Sequence, residues 1–152
     1  MHTVVIDTNI LIDAWKDDFS YARKILDEVM DGNLRAVVTH KIWKEYRLIL
    51  DRLVNDERHR ELAEKFMISV EEVRPRTRVK IVKYDRDDNK FFDAAIAGEA
   101  EYIISNDSHL WEIGEHQGIK AVKAEDFWAE YRSKNGSGGE EWQSWMKGVM
   151  GK

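Results

Sequence analysis

Apolar side chains along this chain alternate between short continuous runs and helical spacing. Thr3 to Ile6 (TVVI) is a β-branched run of the kind that fills a strand covered on both faces. Asp7-Thr8-Asn9 then offers three good cap residues before ILIDAWK, which predicts a helix start. Ile25, Leu26, Val29 and Met30 stand at helical spacing and predict a second helix over Tyr21 to Met30, closed by Gly32. RAVVT, from Arg35 to Thr39, reads as the second strand. Ile42, Tyr46, Ile49, Leu50 and Leu53 form one apolar stripe from His40 to Val54, and Leu62, Ala63 and Phe66 mark another helix from Asp56 to Met67.

The second half repeats the alternation. KIVKY, Lys80 to Tyr84, predicts a strand. Asp88 opens DNKFFDAAIAGEA, an alanine-rich helix with Phe91, Phe92, Ala95 and Ile96 as packing surface. Tyr102 to Ser105 is a strand, Ser108 to Gln117 a short helix, Ile119 to Val122 a last strand, and Glu125 to Arg132 a closing helix. Strands alternating with helices predict an α/β fold with a mostly parallel sheet. Asn135 to Gly139 (NGSGG) reads as a flexible linker. Beyond it, Trp142, Trp145, Met146 and Val149 recur at helical spacing in a short amphipathic tail whose apolar face needs a partner surface, its own domain or another subunit. One domain over 1–132 and a linker-plus-tail over 133–152 is the expected organisation.

Composition narrows the classes. At 152 residues the chain suits one domain that buries roughly two-thirds of its unfolded surface. No apolar run reaches the ~20 residues of a membrane span, and no leader pattern precedes VVID. The chain has no cysteine, which excludes disulfides and thiolate metal sites and fits a reducing, cytoplasmic setting. A net charge of −5 gives no global attraction to nucleic acid, so an RNA substrate would need metal ions and local basic patches. No internal repeat and no glycine-rich phosphate loop is present.

Four acids stand where apolar segments end or helices begin: Asp7, Glu45, Asp88 and Asp107. Side chains at the carboxyl ends of parallel strands share one crevice. Carboxylates gathered there repel one another, by about 4 kcal/mol per pair at ~4 Å and an effective dielectric of ~20. Such a cluster is tolerable when it holds protons, is well solvated or binds a hard cation through oxygen. Each acid also has a plainer role. Asp7 can cap the following helix, or leave that to Thr8 or Asn9. Glu45, on the margin of its helix stripe, can pair with Lys41, Arg47 or another basic neighbour. Asp88 is a natural N-cap, in a turn that also carries Asp85 and Asp87, and Asp107 can form an Asx turn with Ser108 capping. Asp93 is a possible accessory ligand.

Basic and aromatic residues add less. Arg74, Arg76, Arg78 and Lys80 alternate, so an extended segment would show them on one face, either gripping phosphates or blunting a sheet edge. Arg47, Arg52, Arg58 and Arg60 read as a solvated helix surface. His40, His59, His109 and His116 lack metal-ligand spacing and are read as non-catalytic, while Trp15, Trp43, Trp111 and Trp128 are read as core.

VVIDTNILIDAW, HKIWKEY, DDNKFFDAAIAGEAEYIISNDSHLWEI and GIKAVKAEDFW together make the chain resemble PIN-domain ribonucleases, the family that includes VapC-type toxins of toxin–antitoxin pairs. The resemblance runs to about Arg132. It implies a three-layer fold, with a mostly parallel central sheet of about four to five strands flanked by helices. It also implies that Asp7, Glu45, Asp88 and Asp107 form a catalytic quartet binding Mg²⁺ or Mn²⁺, with Thr8 and Asn9 as polar support. RNA cleavage, an antitoxin partner and a homodimer follow as expectations. Ser105-Asn106-Asp107 departs from the Thr-Gly-Asp or Thr-Arg-Asp found in many members, which bears on the local turn. Two other readings compete. A haloacid-dehalogenase-like phosphatase also starts strand–Asp but wants a second Asp where this chain has Asn9, and a non-catalytic interaction module would keep the cleft without the chemistry.

Overall fold

The computed structural model describes residues 1–75 and 89–134. The strand expected over Lys80–Tyr84, Asp85, Asp87 and Asp88, the basic residues Arg76, Arg78 and Lys80, and the tail after Lys134 lie outside these residues. The element order is β1 (Thr3–Ile6), α1 (Thr8–Lys16), α2 (Tyr21–Met30), β2 (Arg35–Val38), α3 (His40–Leu53), α4 (Glu57–Ser69), β3 (Glu71–Glu72), α5 (Asn89–Gly98), β4 (Tyr102–Ile104), α6 (Ser108–Ile113), β5 (Glu115–His116), β6 (Ile119–Val122) and α7 (Ala124–Lys134). Among the described residues no helix is long and apolar enough to cross a membrane.

The strands form one sheet in the order β3-β2-β1-β4-β6-β5, parallel except for the β5–β6 pair. Every residue of β1 is buried. Since successive side chains point to opposite faces, both faces of the sheet are covered at its centre. The chain lays down β2 and β3 on one side of β1, then returns to lay β4 and β6 on the other. Strand order therefore reverses between β1 and β4, and a crevice opens at the carboxyl ends of strands at such a point. Val4, Val5 and Ile6 pair in register with Tyr102, Ile103 and Ile104. Asp7 thus comes level with Ser105 at that edge.

Two edge strands extend the expected sheet. β3 pairs parallel to β2 and is tied to it by Arg35, whose guanidinium holds Glu71 at 2.5 and 2.9 Å. β5 replaces the last turn of the helix expected to reach Gln117. Gln117 and Gly118 both have positive φ, 52° and 80°, and His116 pairs with Ile119, so the pair forms a two-residue hairpin turn.

α5 packs on β1 and β2, and its last residue explains how closely. A Cβ added at Gly98 would lie 2.6 Å from a Val37 methyl and 2.9 Å from the Val37 Cβ. The next residue, Glu99, has φ 56°, with Ala100 N–H donating to the Ala95 carbonyl at 2.8 Å, the geometry of a glycine-type helix end without the glycine. Opposite outcomes follow for neighbours: Gly98→Ala should lower stability by about 1–3 kcal/mol through overpacking. Glu99→Gly should raise it by about 0.5–1 kcal/mol by relieving the left-handed backbone. Urea unfolding of the two variants against wild type checks both signs.

Candidate metal centre

Asp7 ends β1 and starts α1. Its backbone N–H donates to the Ile104 carbonyl at 2.9 Å, which carries the β1–β4 pairing one residue past the strand. Its φ and ψ, −68° and 147°, are those of an N-cap, and its Oδ1 accepts from the Asn9 N–H at 3.4 Å. The capping role falls to Asp7 itself, not to Thr8 or Asn9. That does not remove it from the crevice, because a carboxylate has two oxygens. Oδ2 accepts from the Ser105 hydroxyl at 2.7 Å and from the Asn9 amide at 3.2 Å. Asp7 is only 6% exposed. Burial raises its carboxyl above 3.8, the value of an unburied aspartate; hydrogen bonds from Ser105, Asn9 and Thr8 oppose the rise, and the Asp107 charge adds to it.

Ser105 organises the turn after β4. Fully buried, it donates to Asp7 and accepts from the Asp107 N–H at 3.0 Å and the Asn9 amide at 3.3 Å. One hydroxyl hydrogen and two lone pairs are all it has, so its capacity is filled. Asn9 Oδ1 accepts from the Asn106 N–H at 3.1 Å, and the Trp111 indole donates to the Ser105 carbonyl at 2.6 Å. The Ser-Asn-Asp turn is thus held from both sides. Asp107 caps α6, accepting from the His109 N–H at 2.9 Å, with His109 Nδ1 at 3.3 Å from the same oxygen. As at Asp7, the cap falls to the acid and not to Ser108.

Glu45 enters from α3, beside the fully buried Tyr46, whose hydroxyl donates to the Ile6 carbonyl. The Tyr46 phenol is held well above its ordinary range, by burial first and then by the Asp7 and Glu45 charges. Thr8 Oγ1 lies 3.2 Å from Asp7 Oδ1 and 3.0 Å from Glu45 Oε1. Its single hydrogen can serve only one of these carboxylates at a time. The partner expected for Glu45 was Lys41, Arg47 or another basic neighbour; it is the last of these, Lys90 from the first turn of α5, that pairs with Oε2, while Arg47 reaches Glu64 on α4.

The structure thus brings Asp7, Glu45 and Asp107 to one edge through Thr8 and Ser105. Asp88 lies outside the described residues, and Asp93 sits half-buried on α5. Sequence reasoning missed Ser105 and Lys90. Trp15, Trp43 and Trp128 pack partly buried against the core, as expected. Among the described residues no three acidic or histidine side chains converge on a single ion position. The donors nonetheless fit a hard cation: they are all oxygen, Asp7 is desolvated, and Thr8 has one hydrogen for two carboxylates. Mg²⁺ commonly takes only one or two carboxylates and keeps several waters.

Residues 3–109, a span containing all four candidate acids, match the family model described as PIN domain. No curated protein matches the chain. Among solved structures, the chain is similar to the crystal structure of VapBC2 from Rickettsia felis bound to a DNA fragment from their promoter, at 13% identity and a TM-score of 0.55. That likeness covers 80% of this chain and 98% of the other, and at this identity it is a likeness of fold.

Proposed function

Because this chain belongs to the PIN-domain family, we propose that its acidic edge is the active site of a divalent-metal-dependent endoribonuclease hydrolysing RNA phosphodiester bonds. The observation that carries the reading is the linkage of three acid-bearing segments: the Thr8 hydroxyl lies between the Asp7 and Glu45 carboxylates, and the Ser105 hydroxyl between the Asp7 carboxylate and the Asp107 backbone N–H. Asp7 and Asp107, with Asp88, hold Mg²⁺ or Mn²⁺. When bound, such an ion neutralises phosphate oxygens and lowers the pKa of water. The chain's own groups do the rest. Ser105 and Asn9 fix the Asp7 carboxylate in one orientation, and the helix N-termini at Asp7 and Asp107 favour its charge and that of Asp107. Glu45, at the margin of the edge, orients the attacking water.

The proposal extends to the toxin of a toxin–antitoxin pair, supported by the fold likeness to one member of such a complex. An antitoxin would answer the acidic edge with a basic side chain, and the free protein would be a homodimer. Purified protein incubated with structured and unstructured RNA should cleave with Mg²⁺ or Mn²⁺ and stop with chelator. Cleavage that persists in chelator, or hydrolysis of a small aryl phosphate without RNA cleavage, would overturn the reading. Absence of any Mn²⁺ binding together with a tight complex with a co-expressed neighbour would point instead to the interaction module.

A further inference from the structure

Lys90 stands out among the cations of this protein. Its side chain is 11% exposed and crosses from the first turn of α5 to Glu45 on α3, itself 29% exposed. The Lys90 ammonium holds Glu45 Oε2, while Oε1 lies 3.0 Å from the Thr8 hydroxyl, whose one hydrogen it shares with Asp7. The ammonium also lies 5.2 Å from the centre of the Phe91 ring. On the other side of the edge the situation differs. Asp7 and Asp107 receive hydrogen bonds from Ser105, Asn9, Thr8 and His109, and among the described residues no lysine or arginine pairs with either. The cleft is therefore asymmetric. Among the described residues, one part carries a tethered cation and the other has none.

We infer that Lys90 occupies the place a second metal ion would take, so that the cleft loads a single divalent ion on the Asp7–Asp107 side. This rests on the metal-dependent reading above. A second divalent ion at Glu45 would have to displace the ammonium from Oε2, or sit beside it against like charge in a partly desolvated setting. Lys90 delivers one unit of positive charge without exchange, and its tether fixes where that charge sits. It is a positioning residue: it holds Glu45 and shapes the ion count through it.

The test is the Mn²⁺ stoichiometry of the full-length, RNA-free protein, measured by calorimetric titration and by electron paramagnetic resonance of free Mn²⁺. Wild type should bind one Mn²⁺ per chain, and Lys90→Arg, which keeps the charge, should also bind one. Lys90→Met, of similar length but uncharged, should bind two. Two ions in wild type, or a folded Lys90→Met that still binds one with unchanged affinity, would overturn the inference while leaving the nuclease reading intact. No Mn²⁺ in wild type would remove the nuclease reading and this inference with it. If the methionine variant does not fold, the wild-type count decides alone: one ion supports the inference and two end it.

Discussion

Asp7→Asn should cut metal-dependent RNA cleavage by at least about 10³-fold, the equivalent of about 4 kcal/mol of lost transition-state stabilisation. The fold should survive, because the amide keeps the shape of the carboxyl and one acceptor for the helix cap. The informative companion measurement is stability against pH without metal. Burial raises the Asp7 carboxyl above 3.8, so the folded chain holds this proton more tightly than the unfolded one. Its stabilising contribution is complete below 3.8 and is lost as pH rises through the folded-state value. Melting temperatures of wild type minus Asp7→Asn should therefore fall from about pH 4 upward and level off once Asp7 is ionised, each kcal/mol moving the midpoint by roughly 2–4 °C. Saturating Mg²⁺ should shrink the gap at neutral pH by binding the ionised form. A difference that stays constant with pH would show that burial does not raise the Asp7 carboxyl.

Tyr46→Ala should be the most damaging core substitution near the site, costing about 3–5 kcal/mol, a large part of the ~5–15 kcal/mol that holds a typical domain. The ring is fully buried and meets Phe66 of α4 at 5.9 Å, so its loss opens a cavity between α3 and α4. Tyr46→Phe separates packing from polarity. It keeps the ring and strands the Ile6 carbonyl, for about 1–2 kcal/mol. Because Ile6 precedes Asp7 and Tyr46 follows Glu45, that hydroxyl joins the backbone before one acid to the helix bearing another. Tyr46→Phe should thus lower cleavage more than its stability loss accounts for. Equal activity per folded molecule, measured by cleavage rate against the circular dichroism signal, would limit Tyr46 to packing.

Much of this architecture can be read from local pattern. The β-branched run before Asp7, the stripe from Ile42 to Leu53 and the YII segment before Ser105 each state their element through period and burial. Once two strands end in acids, the parallel fold itself brings those acids together. Glu45 was marked by its place on the stripe margin of its helix, which carries no such geometric guarantee, and the family resemblance gave it its expected role. What stayed hidden depends on side chains far apart in sequence. Ser105 meets Asp7 across 98 residues, and Lys90 meets Glu45 across 45. The nearer bases at Lys41 and Arg47 offered equally reasonable partners to any local argument. The β5 hairpin did carry a signal, a Gln-Gly pair before IKAV, but Gln enters left-handed backbone less readily than Asn, and the helix pattern outweighed it. Asp7 and Asp107 show that capping and a place in the crevice are compatible duties of one carboxylate.

The position of β1 between β2 and β4 sets the order in which the acidic edge can be assembled during synthesis. Asp7, Thr8 and Asn9 are made before the rest of the edge, and Glu45 can join them when β2 and α3 have formed. The hydroxyl of Ser105 and the backbone of Asn106, which clamp Asp7 and Asn9, arrive nearly a hundred residues after their partners. Pairing at such separation closes a long loop and comes late. A growing chain therefore carries Asp7 and Glu45 for most of its translation without the turn that orients them, and the edge becomes whole only when the second half has emerged and docked. For a chain whose proposed substrate is RNA, cleavage would therefore await the second half.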